Sequence, residues 1–119
     1  MTMIGEEQSI MQQGERIVYQ RAGDGVSACG LIMLHGLASN ASRWYEFMTH
    51  SVMREFCELL AIDLRGHGRS TTFQPFNRAH WCSDVQAILD REKLHGILLG
   101  HSLGAQVALV APSTVSVLI

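Results

Sequence analysis

Residues 96–104 read GILLGHSLG, an uncharged apolar run followed directly by a Gly-x-Ser-x-Gly pattern. A short apolar run between glycines is typical of a strand that is buried on both faces of a parallel sheet. Residues 103–111 then favour a short helix, which Pro112 would end. We therefore predict that Ser102 stands in a tight turn between a buried strand and a helix, where a strained backbone exposes the hydroxyl as a nucleophile.

The residues around Ser102 fit such a turn. Gly100 and Gly104 have no side chain, so the two arms of the turn can approach closely. The helix beginning at Leu103 would aim free N–H groups and the positive end of its dipole at the serine, which makes the Leu103 N–H a candidate donor to a developing oxyanion. We expect His101 to have a structural role, with its ring directed away from the hydroxyl.

A second motif, His35-Gly36-Leu37, follows another apolar run at residues 31–34. It would lie at the carboxyl edge of the sheet, where folds of this kind bind ligands. An oxyanion hole needs two donors from different segments, and the Leu37 N–H is predicted to be the second one. His35 and Gly36 are expected to support this loop, with His35 packing in it rather than acting as a general base.

Strand and helix patterns alternate along the rest of the chain, which predicts an α/β fold with three layers. A mostly parallel sheet would carry helices on both faces, joined by right-handed crossovers. Residues 1–14 are expected to be poorly ordered or peripheral, and residues 15–119 to form one domain. Strands are predicted at 15–20, 31–34, 59–62, 96–100 and 115–119. One helix is predicted at about 42–56, and a second begins after a cap at Asn77. The apolar face of the first helix would pack on the core and consists of Trp44, Phe47, Met48, Val52 and Phe56. The corresponding face of the second helix consists of Trp81, Val85, Ile88 and Leu89.

The glycine-rich segment 63–70 reads DLRGHGRS and only partly matches a dinucleotide-binding fingerprint. Its third glycine position holds Thr71 and no helix opens there, so we predict no cofactor. We expect a structural loop near the mouth of the site, with Arg65 and Arg69 tied to carboxylates or carbonyls. Asp84 and Asp90 are interpreted as solvated positions on a helix.

Composition narrows the possible partners and compartments. The 119 residues include 9 basic and 11 acidic side chains without a basic cluster, which argues against nucleic acid. Three cysteines without ligand spacing indicate neither a metal site nor a complete disulfide framework. Because the first residues are acidic and lack a secretory signal, a reducing, cytoplasmic location is expected. The uncharged residues 96–119 contain too many polar groups for a membrane span.

Three motifs in this order and spacing resemble the N-terminal half of an α/β-hydrolase-fold enzyme of the esterase, epoxide-hydrolase and C–C-hydrolase group: residues 35–37, 63–70 and 100–104. The resemblance covers roughly residues 15–119 and implies an incomplete α/β-hydrolase fold. It also implies that Ser102 is the nucleophile, that Leu37 and Leu103 provide the main-chain oxyanion donors, and that the substrate is a small acyl compound. A serine rather than an aspartate at this position points toward acyl transfer.

The triad acid and histidine of this fold follow the nucleophile in chain order, yet the 17 residues after Ser102 include no His, Asp or Glu. We therefore expect a truncated chain that is nearly or wholly inactive alone. One alternative is a non-catalytic binding or regulatory protein of the same fold. Another is a fragment that self-associates through exposed sheet edges.

Overall fold

The computed structural model describes residues 5–23, 28–70, 72, 74–110 and 115–118. The apolar runs of the sequence form strands, and the amphipathic stretches between them form helices. The strands are β1 (Glu6–Gln12), β2 (Glu15–Ala22), β3 (Cys29–Leu34), β4 (Glu58–Ile62), β5 (His95–Gly100) and β6 (Val115–Leu118). The α-helices are α1 (Tyr45–His50), α2 (Arg78–Glu92) and α3 (Leu103–Val110).

All the described strands belong to one mixed sheet, in the order β1-β2-β4-β3-β5-β6. Strands β4, β3, β5 and β6 run parallel to one another, whereas β2 joins β4 in antiparallel orientation. Strand β1 was not predicted from the sequence, and it pairs with β2 along its whole length. Residues 6–12 therefore form a strand at the periphery of the sheet.

Two apolar clusters show that the sheet is covered on both faces, which confirms the three-layer α/β prediction. Because successive side chains of a strand point to opposite faces, Ile32 and Leu34 pack in one cluster with α2 and α3. Leu31 and Met33 pack in the other cluster, together with Trp44 and Met48. Helix α1 thus lies on one face and helices α2 and α3 on the other.

The continuous helix predicted for residues 42–56 is wrong. The segment consists of a 3₁₀ turn (Ala41–Trp44), α1 and a second 3₁₀ turn (Val52–Glu55), with Ser51 in an extended conformation between the last two. The Ser51 hydroxyl accepts a hydrogen bond from the Met53 N–H at 3.1 Å, so the side chain competes with helical bonding there. Of the predicted inner face, Trp44 and Met48 are buried, whereas the following side chains are exposed: Phe47, Val52 and Phe56.

The second predicted helix is confirmed as α2. The Asn77 side chain accepts from the Ala79 N–H, while the His80 ring accepts from the Asn77 N–H. Val85, Ile88 and Leu89 are buried as predicted, and Trp81 is partly buried. The predicted final residues of α3 and of the last strand, Ala111 and Ile119, lie outside the described residues, as does Pro112.

Residues 95–110 divide into a strand, a turn and a short helix rather than one long apolar helix. Across the described parts of the chain, no helix has both the length and the apolar composition that crossing a bilayer requires.

Candidate active site

The candidate site lies at a topological switch point of the sheet. The connection after β3 leads to α1 on one face, and the connection after the neighbouring strand β5 leads to α3 on the other face. In open α/β sheets such diverging connections leave a crevice outside the carboxyl ends of the strands. Gly36 and Ser102 meet there: a Cβ atom built on Gly36 would lie 3.4 Å from the Ser102 Cβ and 3.4 Å from the His101 Nδ1.

Ser102 occupies the turn between β5 and α3, in the strand-turn-helix arrangement that the sequence predicts. Its φ of 57° is left-handed, a conformation that non-glycine residues adopt at an energetic cost, and its side chain is exposed. The His101 N–H donates to the Leu34 carbonyl at 3.0 Å, which ties the turn to the end of β3. The Gly104 N–H donates to the His101 carbonyl and the Ala105 N–H to the Ser102 carbonyl, so the helix begins immediately.

The two glycines of the motif are needed for this turn. A Cβ on Gly100 would lie 2.3 Å from the Gly104 carbonyl oxygen, and a Cβ on Gly104 would lie 2.2 Å from the Leu34 carbonyl oxygen. Real Cβ atoms do not approach backbone oxygens so closely. The turn therefore packs backbone against backbone, and any side chain at these two positions would force the strand and helix apart.

The two predicted oxyanion donors border the same crevice. Leu103 is the first residue of α3, a position whose N–H has no partner within a helix. Leu37 follows Gly36, and its side chain is 71% exposed at the surface. The Gly36 carbonyl accepts from the Ser39 N–H at 3.2 Å, which closes a turn over Leu37. Donation from these amides to a bound oxyanion remains a prediction.

His35 supports the loop that carries Gly36 and Leu37. The ring is fully buried; its Nδ1 donates to the Gly36 carbonyl at 2.7 Å, and its Nε2 accepts from the Leu64 N–H at 3.0 Å. This pairing requires the neutral tautomer with the proton on Nδ1. Burial, as the main cause, lowers the pKa of His35, which keeps the ring uncharged. Because both ring nitrogens are engaged in holding the backbone, the geometry fits a packing group and not a general base.

The loop after β4 is held by the carboxylate of Asp63. This group accepts a hydrogen bond from the Ala41 N–H at 2.7 Å and one from the Arg69 N–H at 3.1 Å. It thereby links the segment that follows β3 to the segment that follows β4. Gly68 lies so close to the carboxylate that a Cβ atom built on Gly68 would be 2.4 Å from the Asp63 Oδ1. The structural role predicted for residues 63–70 is thus supported by direct contacts.

Arg65 and Asp84 form a buried bidentate pair, with Nε–Oδ2 and Nη2–Oδ1 distances of 2.9 Å and 2.8 Å. Both side chains are almost inaccessible. The prediction that Arg65 contacts a carboxylate is confirmed, and so is the same prediction for Arg69, which pairs with Glu7.

The interpretation of Asp84 as solvated is wrong. Position 84 lies three residues after Trp81 and four before Ile88, on the buried face, so the helical periodicity itself carried the signal.

Among the other histidines, His101 is the one beside Ser102. Its Nδ1 is buried and has no hydrogen-bond partner within the described residues. His80 caps α2, His50 ends α1, and the His67 ring packs 5.0 Å from that of His35. In the described part of the chain, no three or more His, Cys, Asp or Glu side chains gather in a way that could hold a metal ion.

A cavity of about 250 Å³ opens beside the β4 loop. Its walls come from residues that surround the Asp63 carboxylate, and Ser102 is not among them: Asn40, Ser42, Tyr45, Asp63, Gly68 and Arg69. Burial, chiefly, raises the pKa of the Tyr45 hydroxyl, which therefore stays protonated.

Comparison with known proteins identifies relatives for most of the chain. A model of the alpha/beta hydrolase family matches residues 31–119. Pimeloyl-[acyl-carrier protein] methyl ester esterase of Klebsiella pneumoniae is 33% identical over 107 residues, which are 87% of this chain and 39% of that protein. Protein phosphatase methylesterase 1 of Bos taurus is 29% identical over 92 residues, covering 71% of this chain and 24% of that enzyme.

The fold is also similar to solved structures. Est816, described as an N-acyl homoserine lactone degrading enzyme, superposes with a TM-score of 0.81 at 28% identity. The match covers 94% of this chain and 44% of that one. The chain thus spans less than half the length of each of these three relatives.

Proposed function

Since this chain belongs to the alpha/beta hydrolase family, we propose that it carries the nucleophile half of a serine hydrolase that cleaves an ester or related acyl bond. The observation that carries the proposal is the left-handed backbone of Ser102, at the carboxyl end of β5 and directly beside Gly36. Such a turn exposes a hydroxyl at the mouth of the crevice without a helix or strand to shield it.

In the proposed reaction, the Ser102 Oγ attacks the carbonyl carbon of an ester, and negative charge develops on the carbonyl oxygen. The main-chain N–H groups of Leu37 and Leu103 would donate to that oxygen from two sides of the crevice. The proton of the hydroxyl needs a general base, and the leaving group needs an acid. His35 does not fit this role because its Nε2 accepts from the Leu64 N–H.

We propose that the base and its orienting carboxylate come from outside these 119 residues, because residues 103–119 contain no His, Asp or Glu. In this fold both groups follow the nucleophile in chain order. The 119-residue polypeptide alone should therefore turn over esters barely or not at all. An oxyanion hole without a complete triad leaves about 10³ to 10⁴-fold acceleration over water in well-studied hydrolases.

A carboxylic ester is the first substrate class to test. The two curated relatives are named as a methyl ester esterase and a methylesterase, and a serine nucleophile suits acyl transfer. The assay therefore keeps the ester bond constant and varies the acyl and alcohol groups.

The test uses the polypeptide encoded by the reading frame that contains these residues, together with the 119-residue chain. Hydrolysis of p-nitrophenyl and methyl esters is measured for the wild-type protein and for Ser102→Ala. We expect kcat/KM of the encoded polypeptide to fall by at least about 10³-fold in Ser102→Ala. Ser83→Ala, at an exposed serine of α2, is the matched control and should retain full activity. Equal activity in wild type and Ser102→Ala would exclude the proposed nucleophile.

A second candidate is a binding or regulatory protein of the same fold, which would use the crevice beside Gly36 and Ser102 without the chemistry. A fluorophosphonate probe discriminates the two, because it reacts with a serine only where a base activates it. If the encoded polypeptide is labelled and the Ser102→Ala variant is not, the result supports the hydrolase. Unlabelled, folded protein that still retains an ester analogue supports the binding protein.

A further inference from the structure

Two cysteines meet at the amino ends of the central strands. Cys29 is the first residue of β3, and Cys57 immediately precedes β4. In the parallel register Gly30 lies opposite Glu58, so each cysteine stands one residue before a paired position and faces the other. Their Sγ atoms are 3.5 Å apart.

The backbones of both residues are suited to a covalent link. Neighbouring strands of a sheet lie about 4.8 Å apart, and disulfides join residues whose Cα atoms are about 4.4 to 6.8 Å apart. Cys57 is held by a bond from its N–H to the Met53 carbonyl at 2.9 Å, and Cys29 is held by its pairing with His95 on β5. The Sγ atoms are 3.5 Å apart and a disulfide bond is about 2.0 Å long, so closure has to shorten their separation by about 1.5 Å.

We propose that Cys29 and Cys57 form a redox-active dithiol, which closes to an intramolecular disulfide when a small-molecule disulfide such as oxidised glutathione is present. The unequal exposure of the two thiols sets the order of events. Cys29 is partly exposed and can meet a reagent in solution, whereas Cys57 is only 6% exposed. The buried thiol therefore reacts with its neighbour and not with the reagent.

The exchange proceeds in two balanced steps. The Cys29 thiolate attacks one sulfur of oxidised glutathione, so a mixed disulfide forms and one glutathione leaves as a thiolate. The Cys57 thiolate then attacks the Cys29 Sγ, and the second glutathione leaves. Two protein thiols are oxidised, one oxidised glutathione is reduced to two molecules of glutathione, and the two protein protons end on those leaving thiols.

The location gives the disulfide a structural effect. Cys29 and Cys57 lie at the amino edge of the sheet, while Ser102 lies beyond its carboxyl edge, at the far ends of β3 and β5. A link between residues 29 and 57 would enclose α1 and the loop that carries Gly36. It would restrict the unfolded chain, so oxidation is expected to raise the denaturation midpoint without touching the serine turn.

The experiment treats the folded 119-residue chain with oxidised glutathione and then alkylates it with N-ethylmaleimide in denaturant. Intact mass is expected to show loss of two hydrogens and a single maleimide, on Cys82, where the reduced protein takes one on each of its three cysteines. Peptide mapping should join residues 29 and 57, and dithiothreitol should reverse the change. Three alkylated thiols, a mixed disulfide that never closes, or a bridge to Cys82 would each overturn the proposal.

Two controls separate native geometry from chance pairing. In an unfolded chain, a disulfide between residues 29 and 57 would close a loop of 28 residues, and one between residues 57 and 82 a loop of 25 residues. The two loops have nearly equal entropic costs, so oxidation in guanidinium should give a mixture of both disulfides. The variant Cys82→Ala should form the bridge as wild type does. Cys29→Ala, checked for folding by circular dichroism, should keep Cys57 available to maleimide once unfolded. Formation of the same mixture in native and denatured protein would contradict the inference.

Discussion

Ser102 has a left-handed backbone that the contacts of its neighbours hold in place. A non-glycine residue in this region costs on the order of 1 to 3 kcal/mol, and here φ is 57°. The Gly104 backbone packs against the Leu34 carbonyl, while His101 donates to the same carbonyl from the other side of the serine. The strain is thus balanced by the close junction of β3, β5 and α3, and the exposed hydroxyl is a consequence of that junction.

Replacing Gly104 with alanine tests this junction. The new Cβ would overlap the Leu34 carbonyl oxygen, which is backbone and has little freedom to move. We expect Gly104→Ala to lower the free energy of unfolding by about 1 to 3 kcal/mol, as overpacked sites do, measured from urea denaturation. Gly36→Ala is the matched control, since its Cβ would meet nothing closer than 3.4 Å. Equal losses in the two variants would show that the predicted overlap is relieved elsewhere.

His35 should make stability depend on pH. Burial lowers its pKa in the folded chain, with opposing effects from the Gly36 carbonyl and Asp63 and a further lowering from His67. In the unfolded chain a histidine takes up a proton below about pH 6.5. The contribution of His35 is therefore complete above that pH and is lost as the pH falls further, because only the unfolded state gains the proton.

We expect the urea midpoint to decrease between about pH 7.5 and about pH 5.5. In His35→Gln, which cannot titrate, this decrease should be smaller, although the midpoint itself is lower at every pH. If wild type and His35→Gln showed the same slope, the titrating group would have to be another one.

Helix α2 is anchored to the β4 loop by polar as well as apolar contacts. Arg65 reaches from the loop to Asp84 on the helix, and the Trp81 Nε1 donates to the Arg65 carbonyl at 2.9 Å. The His67 ring packs against the Trp81 ring and also against the ring of His35, which directly follows β3. Loop 63–70 is therefore fixed from two elements, and its position in turn fixes the Leu64 N–H that holds His35.

Breaking the Arg65–Asp84 pair should be costly. Asp84→Asn leaves a buried guanidinium without its counter-charge, and losses of about 3 to 5 kcal/mol are typical of such changes. Asp90→Asn, at an exposed position of the same helix, should change the free energy of unfolding by less than about 0.5 kcal/mol. The double variant Arg65→Met with Asp84→Leu should recover most of the loss, since it removes both charges. A single-variant loss no larger than that of Asp90→Asn would refute the assignment.

The strands of the parallel core were predictable because each is a continuous apolar run. The helix at 42–56 was not, because its pattern of apolar residues continues past the point where Ser51 interrupts the backbone. Strand β1 escaped prediction for a different reason. Its residues are mostly polar, and they form a strand because β2 offers a full set of backbone partners, which the sequence of β1 alone does not indicate.

The sheet as a whole has two different edges among the described strands. β1 carries the exposed acids Glu6 and Glu7, and charge on an edge strand discourages pairing with other chains. β6 reads VSVL and has no charged residue. The β6 edge is therefore the better candidate for contact between copies of the 119-residue chain.

We expect this chain to show concentration-dependent association in sedimentation velocity experiments. Ser116→Lys, which places a charge on β6, should shift the distribution toward monomer. Gln8→Lys, its counterpart on β1, should leave the distribution unchanged. A monomer at every concentration, or an equal response to both lysines, would exclude association through β6.

Local chemistry was enough to predict the buried strands, the serine turn and the loop beginning at His35. Each depends on residues adjacent in the chain: an apolar run has to be buried, and glycines on both sides of Ser102 permit the tight turn. The resemblance to the alpha/beta hydrolase family rested on the same short motifs, and the family match over residues 31–119 confirms it.

Contacts between distant segments depended on the tertiary structure. Asp84 is buried because Arg65 comes to it from another element, His35 is held by an amide 29 residues away, and Cys29 meets Cys57 through strand register. Gly36 reaches Ser102 because successive crossovers place β4 and β5 on opposite sides of β3. This proximity cannot be predicted from residues 36 and 102 themselves, because the strand order is set by how the whole chain packs its apolar faces.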